Sequence, residues 1–296
     1  MKKNKSANLL LLLLIALFLS AGAFAQTTID PLSQTYYVSE TDQIGRLSLH
    51  RTYSSTTAFR GYFGLGWCSD LDARIIFYSQ GEARLKTCDI GSARSLDLRL
   101  DSSVTRIASG YRRVREDGVI LLFSYGGDLK KVIRGSTEWH IERDSGSRIT
   151  QIAIKDLRGV VTIGVQFNLG DPDYAQIRAI GDIHYEYQEG MLVQAGESQF
   201  RYNRMLNMSV RIAAGTYETV LYDDDRDRVL EVTRRSKDGR ERVAIETREA
   251  GFEIQAKQER GAETHPVRIL YDMRTRDVFV EGETSTARWV LAWIRS

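Results

Sequence analysis

The strongest constraint on this fold is a series of short runs rich in Val, Ile, Tyr, Phe and Thr, residues typical of β-strands. Such runs occupy positions 46–53, 73–79, 119–125, 160–167 and 183–187. Pairs such as Asp117-Gly118 and Gly126-Gly127 lie between the runs and permit the positive φ angles of tight hairpins. After residue 25 no segment sustains an apolar spacing of three and four residues. The pattern predicts a nearly all-β protein.

A degenerate repeat follows residue 110. Segments 111–132, 183–195, 198–210, 220–232 and 269–282 each combine tyrosines or phenylalanines with a following Leu or Val. A single hairpin is marginally stable in water, whereas hairpins joined edge to edge bury a common apolar face and pair the exposed strand groups. We therefore expect a curved antiparallel sheet of consecutive hairpins, either an open shell or a β-meander, with tyrosines aligned across neighbouring strands.

The N-terminus has the order of a secretory signal peptide. Lys2, Lys3 and Lys5 precede an apolar run of eleven residues, Leu9 to Leu19, and small residues follow at Ala23-Phe24-Ala25. An uncleaved anchor is the weaker interpretation, because a bilayer crossing needs about 20 apolar residues. We expect residues 1–25 to be removed, the product to be periplasmic or secreted, and no integral membrane span to remain.

Charge excludes one class of partner. Loss of residues 1–25 would remove three of the 41 basic residues and none of the 39 acidic ones, which leaves a formal net charge of −1. Binding to nucleic acid or to an anionic membrane usually requires a strongly basic surface. No nucleic-acid partner is therefore expected.

Cys68 and Cys88 are the only cysteines, and the expected signal peptide would send them to an oxidising compartment. A disulfide between them is predicted, and closing a loop of this length stabilises a fold by about 3 kcal/mol in the chain-entropy model. Two buried free thiols are the alternative. A metal pair or thiol nucleophile is not favoured, because neither a CxxC spacing nor a nearby histidine is present.

The stretch GYFGLGWCSDLD, residues 61–72, concentrates glycine and aromatic residues. Gly61, Gly64 and Gly66 permit a chain reversal that larger residues would resist, and Phe63 and Trp67 supply apolar area to cover the end of a sheet. A phosphate-binding loop would require a helix N-terminus and a Lys-Ser/Thr pair, and neither follows. The stretch is interpreted as a structural corner.

Candidate catalytic and metal-binding groups each have a simpler explanation. His140 shares a predicted strand face with Glu142 and Asp144, and His184 lies near Asp182, but solvated strand faces have the same pattern. The run Asp223-Asp224-Asp225 lacks the glycine and terminal glutamate of a calcium loop, so a solvated turn is favoured. No catalytic residue, cofactor or metal site is assigned, and a non-enzymatic role is favoured.

Several motifs resemble the N-terminal domain that opens many Rhs (rearrangement hotspot) proteins. They are, in order, Asp30-Pro31, Glu40-Thr41-Asp42, Arg51-Thr52-Tyr53-Ser54-Ser55, Phe63-Gly64 and Gly66-Trp67. The tyrosine-containing repeats are similar to the YD repeats of that family. The resemblance implies an Rhs-type N-terminal module over 26–109 and a YD-like repeat sheet over 110–296. In that family the repeats form a hollow shell that often encloses a C-terminal toxin, and we expect no toxin domain here.

The resulting expectation is a secreted, non-enzymatic β-repeat scaffold or binding module of the cell envelope, with a larger repeat protein or an envelope glycan as its partner. The alternative is an envelope hydrolase or carbohydrate-active enzyme built on the same sheet. A degenerate fragment of a longer toxin carrier is the third reading. The aromatic and basic stretch 287–296 is expected either to complete the sheet or to offer an edge to a partner.

Overall fold

The computed structural model describes residues 26–30, 33–78, 81–89, 92–99, 102–168, 175–223, 228–248, 251–260, 263–272 and 278–282. Within these ranges the chain forms 27 β-strands and a single three-residue 3-10 helix, Asp70–Asp72. The prediction of a nearly all-β protein is confirmed. The same ranges contain no helix of the length and apolarity that a membrane crossing requires.

The N-terminal strands form three small sheets. The first, called here the small sheet, contains β1 (Gln26–Asp30), β2 (Thr35–Ile44), β3 (Leu47–Ser54) and β6 (Trp67–Ser69) in that order. The second is a two-stranded ribbon of β4 (Arg60–Gly61) and β5 (Gly64–Leu65). The third contains β7 (Arg74–Phe77), β8 (Ala83–Asp89) and β9 (Ser92–Asp97).

The remaining strands form one 18-stranded antiparallel sheet, called the long sheet, in which strands that follow one another in sequence are neighbours. It contains β10 (Val104–Ile107), β11 (Gly110–Val114), β12 (Ile120–Phe123), β13 (Leu129–Arg134), β14 (Thr137–Arg143), β15 (Ile149–Asp156), β16 (Gly159–Phe167), β17 (Ile177–Ile180), β18 (Ile183–Gln188), β19 (Met191–Ala195), β20 (Ser198–Tyr202), β21 (Met208–Ala213), β22 (Thr216–Tyr222), β23 (Val229–Ser236), β24 (Gly239–Arg248), β25 (Gly251–Arg260), β26 (Glu263–Asp272) and β27 (Val278–Gly282). The sheet is not closed into a barrel, because β10 and β27 lie at opposite ends of the strand order. The predicted arrangement of consecutive hairpins is confirmed.

The repeat tyrosines join neighbouring strands through their hydroxyl groups. Tyr187 OH donates to the Ile177 carbonyl at 2.8 Å, and Tyr202 OH donates to the Leu192 carbonyl, also at 2.8 Å. Burial raises the pKa of both phenols, so each stays a neutral donor. The expected alignment of tyrosine rings across neighbouring strands is limited. Within the described residues, Tyr111 and Tyr125 are the one pair of repeat tyrosines whose rings are in contact.

Strand β2 of the small sheet crosses successive strands of the long sheet. The contacts of β2 and of the two turns that flank it reach from β15 to β23. From the C-terminal end of β2 to its N-terminal end they are Arg46 to Asp156, Ile44 to Gly181, Asp42 to Tyr185, Glu40 to Arg211, Tyr36 to Glu218, and Gln34 to Val229. The face of the long sheet that receives these contacts is called the inner face. A single apolar core joins the two sheets.

The predicted disulfide is present. Cys68 in β6 and Cys88 in β8 are bonded, with their Cα atoms 5.7 Å apart, and both residues are buried. The bond links the small sheet to the three-stranded sheet. Such a link restricts the unfolded chain and so favours the folded arrangement of the two sheets.

Candidate functional site

The most highly charged buried region lies between the small sheet and the long sheet and is centred on Arg51. Strand alternation places Arg51 on the same face of β3 as Leu47, Leu49 and Tyr53, all of which are buried. The guanidinium donates to both carboxylate oxygens of Asp42, from Nε at 2.6 Å and from Nη2 at 2.9 Å, and Nη2 also donates to Glu40 at 3.1 Å. We call Arg51, Glu40 and Asp42, with their long-sheet partners Arg211 and Tyr185, the Arg51 cluster.

Aromatic rings surround the Arg51 guanidinium. Its central carbon lies 5.4 Å from the ring centroid of Phe63, 5.0 Å from that of Trp67 and 5.5 Å from that of Tyr185. Nη1 has no hydrogen-bond acceptor among the described residues, so the ring faces supply its electrostatic partner. Burial lowers the pKa of this guanidinium, but the charge and hydrogen bonds of Asp42, followed by the charge of Glu40, outweigh burial and hold the pKa above its ordinary value.

The carboxylates of β2 join the two sheets, because each also accepts a hydrogen bond from the long sheet. Arg211 Nε of β21 donates to Glu40 at 3.0 Å, and Tyr185 OH of β18 donates to Asp42 at 2.8 Å. Burial, followed by the charge of Asp42, raises the pKa of the Tyr185 phenol, which therefore remains protonated as a donor. Each carboxylate thus has one partner in β3 and another in the long sheet.

A second buried carboxylate repeats this arrangement with the roles of the two sheets reversed. Glu218 of β22 is fully buried and accepts hydrogen bonds from Tyr36 OH and from Thr27 Oγ1, the latter at 3.0 Å. Arg234 Nε of the long sheet donates to the other carboxylate oxygen at 3.0 Å. Burial, followed by the charge of Glu218, raises the pKa of the Tyr36 phenol well above its ordinary value.

The glycine-rich stretch is placed beside this region. Gly64 has φ +90°, and a Cβ there would lie 2.5 Å from the Gly190 carbonyl oxygen of the long sheet. Gly66 has φ +79°, and its Cβ would lie 2.6 Å from the Tyr53 ring. Both positions combine a left-handed backbone with a close approach, so a side chain would not fit without displacement. Gly61 ends the short strand β4.

Two of the three aromatic residues of the stretch, Phe63 and Trp67, are fully buried. Phe63 packs edge-on against Tyr185, with centroids 5.0 Å apart, and Trp67 packs against Phe200 at the same distance. Trp67 Nε1 also donates to Tyr202 OH at 3.0 Å. These contacts cover the inner face of β18 and β20, in the middle of the long sheet rather than at its end.

The histidine candidates are not arranged as strand alternation suggested. His140 Nε2 lies 2.9 Å from Glu138 of the same strand, while Glu142 bonds to Gln151 and Asp144 bonds to Arg148. Asp144 lies in the turn after β14, so the three residues do not converge. His184 is exposed on β18, and Asp182 lies in the preceding turn.

The described residues contain no metal-binding group of three or more His, Cys, Asp or Glu side chains. Of the aspartate run, only Asp223 is described, and Asp224, Asp225 and Asp227 lie outside the described residues. A shallow polar depression of about 290 Å³ is lined by the ends of β22 to β25, including Arg234, Glu241 and Gln258, and no histidine lines it.

Sequence reasoning missed the Arg51 cluster as a charged unit, although a signal was present. In β2 the residues Tyr36, Val38, Glu40, Asp42 and Ile44 share one face by alternation, and all five are buried. Two acids within an apolar face require buried partners. Arg51 meets the same condition in β3, where it lies directly opposite Glu40.

The comparisons with known proteins identify no family. No family description matches the chain, and no curated protein matches it. Among solved structures, the chain is similar to a chain in the "Crystal Structure of TcdB2-TccC3-Cdc42", with a TM-score of 0.26 and 12% identity over 84% of this chain and 17% of that chain. It is also similar to a bifunctional GH43-CE protein of Bacteroides eggerthii, with a TM-score of 0.14 and 10% identity over 89% of this chain and 44% of that chain. The chain spans less than half the length of either matched chain.

Proposed function

We propose that this protein is a short Rhs/YD-repeat-type protein that acts as a secreted, non-enzymatic β-scaffold or binding module of the cell envelope. In this proposal, residues 1–25 are a signal peptide, residues 26–109 are the N-terminal module, and residues 110–296 are the repeat sheet. The partner is a larger repeat protein or an envelope glycan. The observation that carries the proposal is the pairing of buried carboxylates of each sheet with an arginine or hydroxyl donors of the other.

This pairing across the two sheets gives the buried polar groups a structural role. A buried charge is costly unless it is paired and hydrogen-bonded, and the removal of one partner from a buried pair typically costs about 3 to 5 kcal/mol. In the Arg51 cluster the carboxylates of Glu40 and Asp42 each have partners in both sheets. Ion pairs of this kind require a specific geometry, so they fix how the small sheet lies across the long sheet. The result is a rigid surface, as a scaffold or binding module requires.

The outer face of the long sheet, which is the face away from the small sheet, carries exposed aromatic and aliphatic side chains that are suited to binding a partner. On β22 the side chains of Tyr217 and Leu221 are 41% and 58% exposed, and Leu230 of the neighbouring strand β23 is 38% exposed. Tyr217 lies opposite Arg235 in the strand register. Aromatic and arginine side chains on a rigid element are frequent energetic centres of protein interfaces. We therefore place the contact surface of the proposed module on β22 and β23.

The test is affinity capture with residues 26–296 as bait against envelope extracts, compared with the variant Tyr217→Ala/Leu221→Ala. We expect one repeat-containing protein or one glycan to be retained by the parent chain and to be reduced in the variant. A matched control, Leu157→Ala, changes an exposed side chain in the turn between β15 and β16 and should retain the partner. Equal recovery by all three proteins would contradict the location of the surface. Absence of any specific partner would contradict the binding function.

One observation favours a second candidate, an envelope hydrolase. The 2.9 Å contact between His140 and Glu138 could orient an imidazole for acid–base chemistry, and Lys131 donates to the same carboxylate at 3.0 Å. The hydrogen bond from Lys131, followed by that from His140, lowers the pKa of Glu138. Hydrolysis of envelope glycans that is lost in His140→Ala and retained in the control His184→Ala would establish the enzyme. Equal rates with and without the protein would exclude it for those substrates.

A further inference from the structure

The two end strands of the long sheet each have one edge without a strand partner in the described part of the chain. β10 pairs only with β11, and β27 pairs only with β26. Val114 N donates to the Ser103 carbonyl at 3.3 Å, and bonded and non-bonded pairs alternate along an antiparallel ladder. The N–H groups of Val104 and Arg106 therefore point towards the free edge of β10. An exposed strand edge of this kind is a template for another strand.

The strand count makes the two edges geometrically compatible. Neighbouring strands run in opposite directions and the sheet has 18 of them, so β10 and β27 are antiparallel to each other. If the β27 of one copy lies beside the β10 of the next, with both inner faces on the same side, the two strands pair in the antiparallel sense. The hairpin order of the long sheet then continues from one copy into the next.

The side chains at the two edges also match. An apolar row crosses the inner face from Ile245 through Ile254 and Ile269, which face one another in register, and ends at Val280, which is 47% exposed. At the other end of the sheet the inner face ends at Tyr111 and Arg106, which lie directly opposite each other. Joining the ends would cover Val280 with the apolar stem of Arg106.

The outer faces of the two end strands are complementary as well. In the register that sets Arg106 opposite Val280, Ile107 lies opposite Phe279, which is 58% exposed. Thr105 then lies opposite Glu281, and all four residues of β10 have a partner in β27. Cross-strand apolar pairs of this type stabilise a sheet, and the match needs no residue outside the two strands.

We propose that copies of this chain associate head to tail, with β27 of one copy adding to β10 of the next. The contact is heterologous, so it produces rings or open filaments according to the rotation between copies. It is also short, which places it among weak and transient interfaces. This association is separate from the proposed envelope function, and its failure would leave that function unaffected.

The test is sedimentation velocity of residues 26–296, which include every described residue, over a series of concentrations. We expect the parent chain to shift from monomer to larger species as concentration rises. Val280→Lys places a charge on the inner edge of β27, and Arg106→Pro removes an edge N–H from β10 while sparing its bonds to β11. Each variant alone should associate at least about tenfold more weakly than the parent.

A mixture of the two variants gives the discriminating result. Each variant retains one intact edge, so a 1:1 mixture should form dimers and nothing larger. Val160→Lys, which places the same charge on an exposed position of the doubly paired strand β16, should associate like the parent. Circular dichroism of all variants checks that the sheet is intact. A parent chain that is monomeric at every concentration would overturn the proposal. Larger species that persist in both variants would also overturn it.

Discussion

The substitution Arg51→Met tests the role of the Arg51 cluster most directly. Methionine fills much of the same volume and keeps apolar contact with the surrounding rings, but it removes the three hydrogen bonds to Asp42 and Glu40. Glu40 would keep Arg211 as a cationic partner, whereas Asp42 would keep only the neutral Tyr185 hydroxyl. One carboxylate would thus be left buried without a counter-charge.

The expected loss of stability follows from that count. Three charge-assisted hydrogen bonds, at about 1.5 to 3 kcal/mol each, would sum to an upper bound of about 9 kcal/mol. The bonds share one guanidinium and are not additive, and one of the two carboxylates remains neutralised. The cost of breaking a single buried ion pair, about 3 to 5 kcal/mol, is therefore the expected decrease in the free energy of unfolding.

The assay is urea unfolding at neutral pH with the disulfide intact, followed by near-UV and far-UV circular dichroism. Arg46→Met is the matched control, because its ion pair with Asp156 is 3.1 Å long and partly exposed and should contribute at most about 1 kcal/mol. In a double-mutant cycle, Arg51→Met and Asp42→Asn should couple by about 1 to 3 kcal/mol. A loss equal to that of the control, or strict additivity, would refute the reasoning.

Three further measurements test other features of the fold. Gly64→Ala should lower the free energy of unfolding by more than about 1 kcal/mol, because the new Cβ meets the Gly190 carbonyl. The loss should exceed that of Gly45→Ala, where φ is also positive but nothing lies within 4 Å. Equal losses in thermal unfolding would contradict the close approach. Cys68→Ala/Cys88→Ala should lower stability by about 3 kcal/mol relative to the oxidised parent, and no loss in urea unfolding would contradict the pairing. Partial burial, followed by the positive charge of Arg134, lowers the pKa of His50 from its ordinary value, so the folded state binds fewer protons there than the unfolded state. The free energy of unfolding therefore decreases as pH falls through the ordinary histidine range. His50→Gln should therefore lose less stability than the parent between pH 7 and pH 5, and identical pH profiles would contradict the assignment.

The fold was predictable because its signals are local. Alternation, β-branched residues and glycine turns specify hairpins, and consecutive hairpins leave few other topologies available. The role of the repeat tyrosines was less accessible. The spacing of Phe200 and Tyr202 shows that their two rings share a strand face, but not that Tyr202 OH reaches the Leu192 carbonyl of the neighbouring strand.

The candidate site was only half visible in the sequence. Glu40, Asp42 and Arg51 lie within twelve residues of one another, and alternation places all three on apolar strand faces. Their long-sheet partner Arg211 is 171 residues from Glu40, and that contact depends on the angle at which β2 crosses the long sheet. No local pattern encodes such an angle. Strand alternation was also an incomplete guide to the candidate His140, Glu142 and Asp144, because β14 ends at Arg143, before the alternation could bring Asp144 to the same face.

The charged clusters also explain how an apolar interface can acquire a single geometry. The inner face of the long sheet carries a common apolar surface from one strand to the next, so apolar contact alone would allow the small sheet to shift by a strand at modest cost. Glu40 and Asp42 meet Arg211 and Tyr185, and Glu218 meets Tyr36. Any shift would therefore separate Arg211 from Glu40 and remove the phenol hydrogen bonds to Asp42 and Glu218. Replacing both clusters with apolar residues of similar volume should therefore leave the chain stable but allow several positions of the small sheet. We expect broadened amide NMR signals from β2 and β3, with little change in the free energy of unfolding. A single sharp set of signals would show that apolar packing alone fixes the arrangement.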